Sequence, residues 1–395
     1  MARLYSCGFE LQSLTARMEV SGITGSPTID TATKHSGLAS LRTNLAITAA
    51  GVRYQFADSN LTEPIFYRFY MRIAVAPLVQ DTIFRVQTTG AVVKITIRLN
   101  TDNTLEFWNN EDNAQIGVDS SALSTDTWYY IEVKMDTTTL TSTAVEAKID
   151  GTAFASGTLN LAAGQAEIEV GSFTTTTVDL YFDDIAINDA SGSTQTSYPG
   201  AGNIVHIHPN AAGDNNDAVS GDWDSINEVT PDDATTLAVL DADLDILDVN
   251  CESSTTAGID SFDTITLVAL GIREAALSGA AESWKLRIKS AASGTVAEGT
   301  TTTHNDTTYK TNGDFVDIMT STLTSYTDPT TGVAWTPTGT NSIDNMQIGI
   351  QAVDATPDIN VSTIWALVEY VDGTPPAGGG PDSPLSQNLT LMGVT

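Results

Sequence analysis

Basic side chains are scarce in this sequence: 17 lysines and arginines stand against 49 aspartates and glutamates, for a formal net charge of −32. Nucleic acid is thereby excluded as an expected partner, because neutralising phosphates needs clustered Lys and Arg. The same charge keeps copies soluble and apart at high local concentration, which suits a protein displayed on a surface. Cysteine is scarcer still, with only Cys7 and Cys251. Two distant thiols build no disulfide framework, and both are expected to stay unpaired in a reducing cytosol. A run of about 18 apolar residues, the length that crosses a membrane as a helix, does not occur. The opening MARLYSCGFELQ lacks the basic stretch and apolar core of a secretory signal. The expectation is a chain made in the cytoplasm with no membrane partner. Helical periodicity is sparse as well; only 117–125 and 272–281 have the texture of a short helix or turn.

Period-two alternation is what the first half has instead. FYRFYMRIAV (66–75), VVKITIRLN (92–100), WYYIEVKMD (128–136), AVEAKIDG (144–151) and VDLYFDDIAIND (178–189) read as half-buried antiparallel strands. Turn-forming clusters such as NTDNT (100–104) and WNNEDNA (108–114) separate them. The texture changes at DASGSTQTSYPGAGN (189–203), a Ser/Thr/Gly/Pro-rich connection. Further strands follow, among them NIVHIHP (203–209), FDTITLVALGI (262–272), SWKLRIKSA (283–291), NMQIGIQAV (345–353) and STIWALVEYVDG (362–373). Charge divides unevenly: residues 1–200 hold 12 bases and 22 acids, residues 201–395 hold 5 and 27. The fold class is therefore all-β, with two β-sandwich domains over 1–192 and 203–373, joined by a linker over 193–202. Residues 374–395, TPPAGGGPDSPLSQNLTLMGVT, read as a Pro/Gly-rich arm with an apolar tip suited to a neighbour's sheet edge.

The order of features in the first half resembles the concanavalin A-like (laminin G-like) jelly roll. An opening CGFELQ strand is followed by HSGLASLR (35–42), then WYYIEVKMD with AKIDG behind it, closing on LYFDDIAIND. The resemblance implies that Trp128 begins a core strand, that Gly151 makes a tight turn, and that 178–189 returns beside the N-terminal strand. Followed by NIVHIHPNAAGDNN, DWDSINEV and DPTTGVAWTP, the whole is similar to a group of tailed-bacteriophage virion structural proteins. That similarity implies a virion location and, as partners, other virion proteins of capsid, neck or tail, in a homo-oligomer.

Candidate sites start with Asp183 and Asp184. Neighbouring strand residues point to opposite faces, so the two carboxylates meet one ligand only across a bulge. One is expected to accept hydrogen bonds from the N-terminal strand or Arg42, the other to face solvent. The jelly-roll resemblance also makes the pair a candidate calcium site, calcium being a hard cation that takes six to eight oxygens; no other cofactor is expected. Glu167 and Glu169 in AEIEVGS have the spacing of a glycosidase pair without a third acid or aromatic subsites beside them, and no catalytic residue is assigned. His206 and His208 share a strand face and could reach a metal with Asp214 or Asp217, but are expected to face solvent. The run DADLDILD (241–248) reads as a solvated acidic strand. Six tryptophans stand singly, and an exposed one would be a sugar-stacking candidate. The expected function is non-enzymatic and structural in a virion; the alternative is a carbohydrate-binding adhesion module on the particle, with host or environmental glycans as partners.

Overall fold

A computed structural model describes residues 3–14, 18–43, 49–55, 61–88, 90–312, 323–356 and 358–374. The arm expected over 374–395 therefore lies, but for Thr374, outside the described residues. The alternating segments become strands because each places every second side chain in a common core. In Ile65–Val75, the buried Tyr67, Phe69, Met71 and Ile73 point inward. This strand pairs antiparallel with Trp128–Asp136 and with Asp179–Asn188 at the centre of an eight-stranded sheet. Arg3–Cys7 joins the same sheet beside Asp179–Asn188, the return that the jelly-roll resemblance implies. Asp150 (φ 48°) and Gly151 (φ 76°) connect Thr143–Ile149 to Thr152–Leu159 by the two-residue turn whose positive φ values match the strand twist.

A seven-stranded sheet closes the first sandwich, with Glu167–Ser172 between Asp81–Gln87 and Ala50–Gln55. Phe84, Phe107 and Phe182 fill the space between the sheets. Two six-stranded sheets form the second sandwich. In one, Ile359–Val371 lies between Asn203–Ile207 and Thr264–Ala276; in the other, Gln347–Asp354 lies between Ile246–Cys251 and Glu282–Lys289. Trp284, Ile288, Ile348 and Ile364 are buried between them. The architecture is all-β, as the alternation predicts.

The two segments expected as helix or turn are not helical. Residues 272–276 end the strand Thr264–Ala276, and 117–125 contain no helix; helical turns among the described residues are Leu140–Ser142, Trp223–Ser225 and Ile343–Asn345. The reason is burial on both sides of the strand: nearly every position from 267 to 276 is inside, so the sequence loses its period-two signal.

The sandwiches meet across a buried seam. Leu11 and Met18 of the first pack with Ile204, Leu267, Trp365 and Leu367. Residues 193–202 lie in no strand, yet they are held: Tyr198 Oη donates to Glu146 at 2.6 Å, Gly200 N to Glu132 at 2.7 Å, and Asn188 Nδ2 to the carbonyl of Ser197 at 2.8 Å. At the centre, Glu369 is gripped by Arg3 (2.6 Å) and Arg68 (2.7 Å).

Candidate functional site

The bulge that would let Asp183 and Asp184 act together is present. The register against Ile65–Val75 shifts between Asp183 and Ala186, and Asp184 takes φ 46°, a left-handed conformation that Asp tolerates better than most residues. Both side chains consequently face the loop at His35–Ser36. Asp183 Oδ2 accepts from His35 N at 2.8 Å, and its Oδ1 from Asp184 N at 2.8 Å. Asp184 Oδ1 accepts from Ser36 Oγ and Ile204 N, both at 2.8 Å, while Oδ2 lies 2.5 Å from His35 Nδ1. Neither carboxylate faces solvent, and the expected Arg42 contact goes to Asp179 instead, at 2.8–2.9 Å. Glu10, fully buried, sits on Leu38 N in the same nest. Burial first, then Asp184 and Glu10, pushes Asp183 well above the usual carboxylate range.

His206 and His208 are also buried rather than solvent-facing. They lie where the second sandwich meets the seam, His206 stacked on Trp365 at 5.3 Å, and burial holds His206 well below its ordinary value and His208 at about 4. Asp214 and Asp217 do not join them: Asp214 binds Lys289 at 2.6 Å and Asp217 accepts from Ile246 N at 3.1 Å. The run 241–248 is a strand only from Ile246. Its last acid, Asp248, is buried against Arg287 (3.1 Å) and Lys289 (3.2 Å), which reach it from the next strand but one of the same sheet across Gly349.

Glu167 and Glu169 lead to a surface. The outward residues of the seven-stranded sheet align, by strand register, into a transverse row of Arg53, Glu169, Arg85, Thr96 and Trp108. At the usual strand spacing this row is about 19 Å long. Arg85 pairs with Glu169 at 3.3 Å, and Thr24 Oγ1 donates to the same carboxylate at 2.9 Å. Arg53 lies 4.0 Å from Glu167, and Gly22 leaves room for its guanidinium: a Cβ there would fall 2.9 Å from Nη2. Arg98 lies 4.0 Å over the ring of Trp108. Burial and Glu169 push Glu167 upward against the opposing pull of Arg53. The side chains of Arg53 and Arg85 remain 41% and 25% exposed. Trp108 Nε1 and Arg53 Nε are themselves buried and without a hydrogen-bond partner, so the polar groups this face offers outward are the guanidinium ends of Arg53 and Arg85. Trp284, Trp335 and Trp365 are buried in the second sandwich, which leaves Trp108, Trp128 and Trp223 as the half-exposed ones.

No family model matches this chain, and no curated protein sequence does. Among solved structures it is similar to an endo-β-1,4-glucuronan lyase from the fungus Trichoderma reesei, at 12% identity over 50% of this chain and 100% of that one, with a TM-score of 0.36. A cellulose-induced protein, Cip1, is 16% identical over 50% and 99%, with a TM-score of 0.36. The binding domain of botulinum neurotoxin serotype D is 11% identical over 47% and 48%, with a TM-score of 0.33. Likenesses this distant carry no argument about activity.

Proposed function

We propose that this is a glycan-binding β-sandwich protein whose ligand surface is the open face of the seven-stranded sheet. The row from Arg53 to Trp108 carries the reading. The indole of Trp108, one face of which Arg98 covers, suits the apolar side of a sugar ring with its remaining exposed surface, while guanidinium forks suit its hydroxyl and acidic groups. Binding is favoured over cleavage because Glu169 is committed to Arg85 and Thr24 and Glu167 faces Arg53. Affinity electrophoresis through neutral and acidic polysaccharides, with reducing-end release measured in parallel, tests this: retardation without release is expected, and release abolished by Glu167→Gln would make it an enzyme instead.

A second reading, structural attachment in a virion as one of many copies, draws on the sequence resemblance and on one surface feature. Val75, Leu78 and Val79 are 48%, 74% and 51% exposed beside one another in the chain, a local apolar patch of the kind that contacts a partner. The two readings combine if the particle displays the glycan face. Leu78→Asp is expected to reduce self-association in sedimentation, and an unchanged oligomeric state would remove the patch from the account.

Calcium at Asp183 and Asp184 belongs among the proposals too. Their support is hard oxygen donors in a buried nest whose excess negative charge, with Glu10 added, raises Asp183. Calcium against a chelator is expected to raise Tm in the wild type and not in Asp183→Asn; equal melting in both would leave the pair to hydrogen bonding alone.

A further inference from the structure

A second cluster of ionisable side chains lies where the chain crosses between the two sheets of the second sandwich. Glu274 is near the end of Thr264–Ala276 in one sheet; Glu282 opens Glu282–Lys289 in the other; His304, in Thr302–His304, is the cross-strand partner of Glu282. Their exposures are 0%, 0% and 1%. One ligand atom from each lies within 4.8 Å of the other two. His304 Nδ1 is 2.8 Å from Glu274 Oε2. With both carboxylates ionised, Glu274 Oε1, both oxygens of Glu282 and His304 Nε2 have no hydrogen-bond partner. The adjacent Arg273 is turned to another acid, Asp233, at 2.5 Å. Two buried carboxylates facing each other are costly unless something neutralises them.

We infer that Glu274, Glu282 and His304 form a buried structural site for one divalent transition-metal ion of the zinc type, which ties the two sheets of the second sandwich together. The donor set decides the class. One imidazole nitrogen with two carboxylate oxygens suits zinc, whereas calcium and magnesium take oxygen ligands in larger number. A dication balances the two carboxylates. Tetrahedral ligands around zinc stand about 3.3 Å apart, so small side-chain rotations close the present cluster onto the ion. The competing arrangement is a proton shared between the two facing carboxylates in place of the metal.

The test uses the full chain, stripped with a chelator and titrated with Zn²⁺, with metal content measured by mass spectrometry. About one equivalent is expected to bind with a rise in Tm, and Co²⁺ in the same place is expected to show visible ligand-field absorption. Glu282→Gln, which copies the protonated acid without changing its size, is expected to fold, to weaken zinc binding at least tenfold, and to lose the Tm response; His304→Gln is expected to match it. Zinc binding that survives Glu282→Gln places the ion elsewhere and overturns the inference. So does a stripped wild type that neither binds zinc nor shifts in Tm while Glu282→Gln is equally stable, for then the pair simply shares a proton.

Discussion

Arg68 Nη1 lies 2.7 Å from Glu369 Oε1 across the seam between the sandwiches, with side-chain exposures of 0% and 2%. Arg3 reaches the other oxygen of the same carboxylate at 2.6 Å. Burial pushes Glu369 upward, but the two guanidiniums together hold it below the ordinary carboxylate range. Removing the anion strands two buried cations, a loss of about 3–5 kcal/mol. Glu369→Gln is therefore expected to lower the urea midpoint strongly; a midpoint within error of the wild type would mean that the seam does not depend on this triad.

Glu19 gives a pH dependence of known sign. Burial raises it from 4.5 to about 7, although the N–H groups of Leu11 and Glu10 and the Cys7 thiol oppose the rise. The folded state then holds a proton that the unfolded state loses, so this contribution is present near pH 4.5 and is lost as pH climbs through about 7. His206 and His208 act oppositely: buried neutral, they remove stability as pH falls below about 6.5. The clean observable is the difference between wild type and Glu19→Gln. It should shift by about 2 kcal/mol or slightly more in favour of the variant between pH 5 and 7.5, and a flat difference would contradict the burial of an ionisable Glu19.

Asp184 carries both a strained backbone and four polar contacts. Alanine at φ 46° costs about 1–2 kcal/mol of backbone strain and removes the shortest bonds of Ser36 Oγ and Ile204 N, leaving their longer ones at 3.1 and 3.2 Å. Asp184→Ala is expected to cost about 3 kcal/mol or more, and Asp184→Asn clearly less. Equal losses in chemical denaturation would show that charge, not geometry, is what the position needs.

The strands were legible wherever one face is buried and the other wetter, as in Thr143–Ile149, because period two is then written into the residues. FDTITLVALGI was read as a strand and is one, but the strand's end at 272–276, buried throughout, was read as helix or turn. The Asp183–Asp184 pair was legible as residues, and so was its condition, a bulge; the bulge itself depends on the partner strand and on the His35–Ser36 loop, more than 140 positions away in sequence. His206 and His208 were misplaced because VHIHP carries no sign that another sandwich packs over it. The Arg53–Trp108 row draws on five strands, and Glu274, Glu282 and His304 on three; no local spacing marks either. A signal did exist in the second half, since only four histidines occur in the chain and one of them stands in a strand-forming THN context at 303–305.

The central claim, that the open face of the seven-stranded sheet binds glycan, is tested most directly by a glycan array probed side by side with wild type, Trp108→Ala and Arg85→Gln. Removing one stacking ring is worth about 1 kcal/mol or somewhat more. The account predicts binding to a definable glycan class by the wild type and a loss of roughly tenfold in each variant, with the fold intact by circular dichroism. Uniform silence of the wild type, or binding that both variants retain in full, would contradict it.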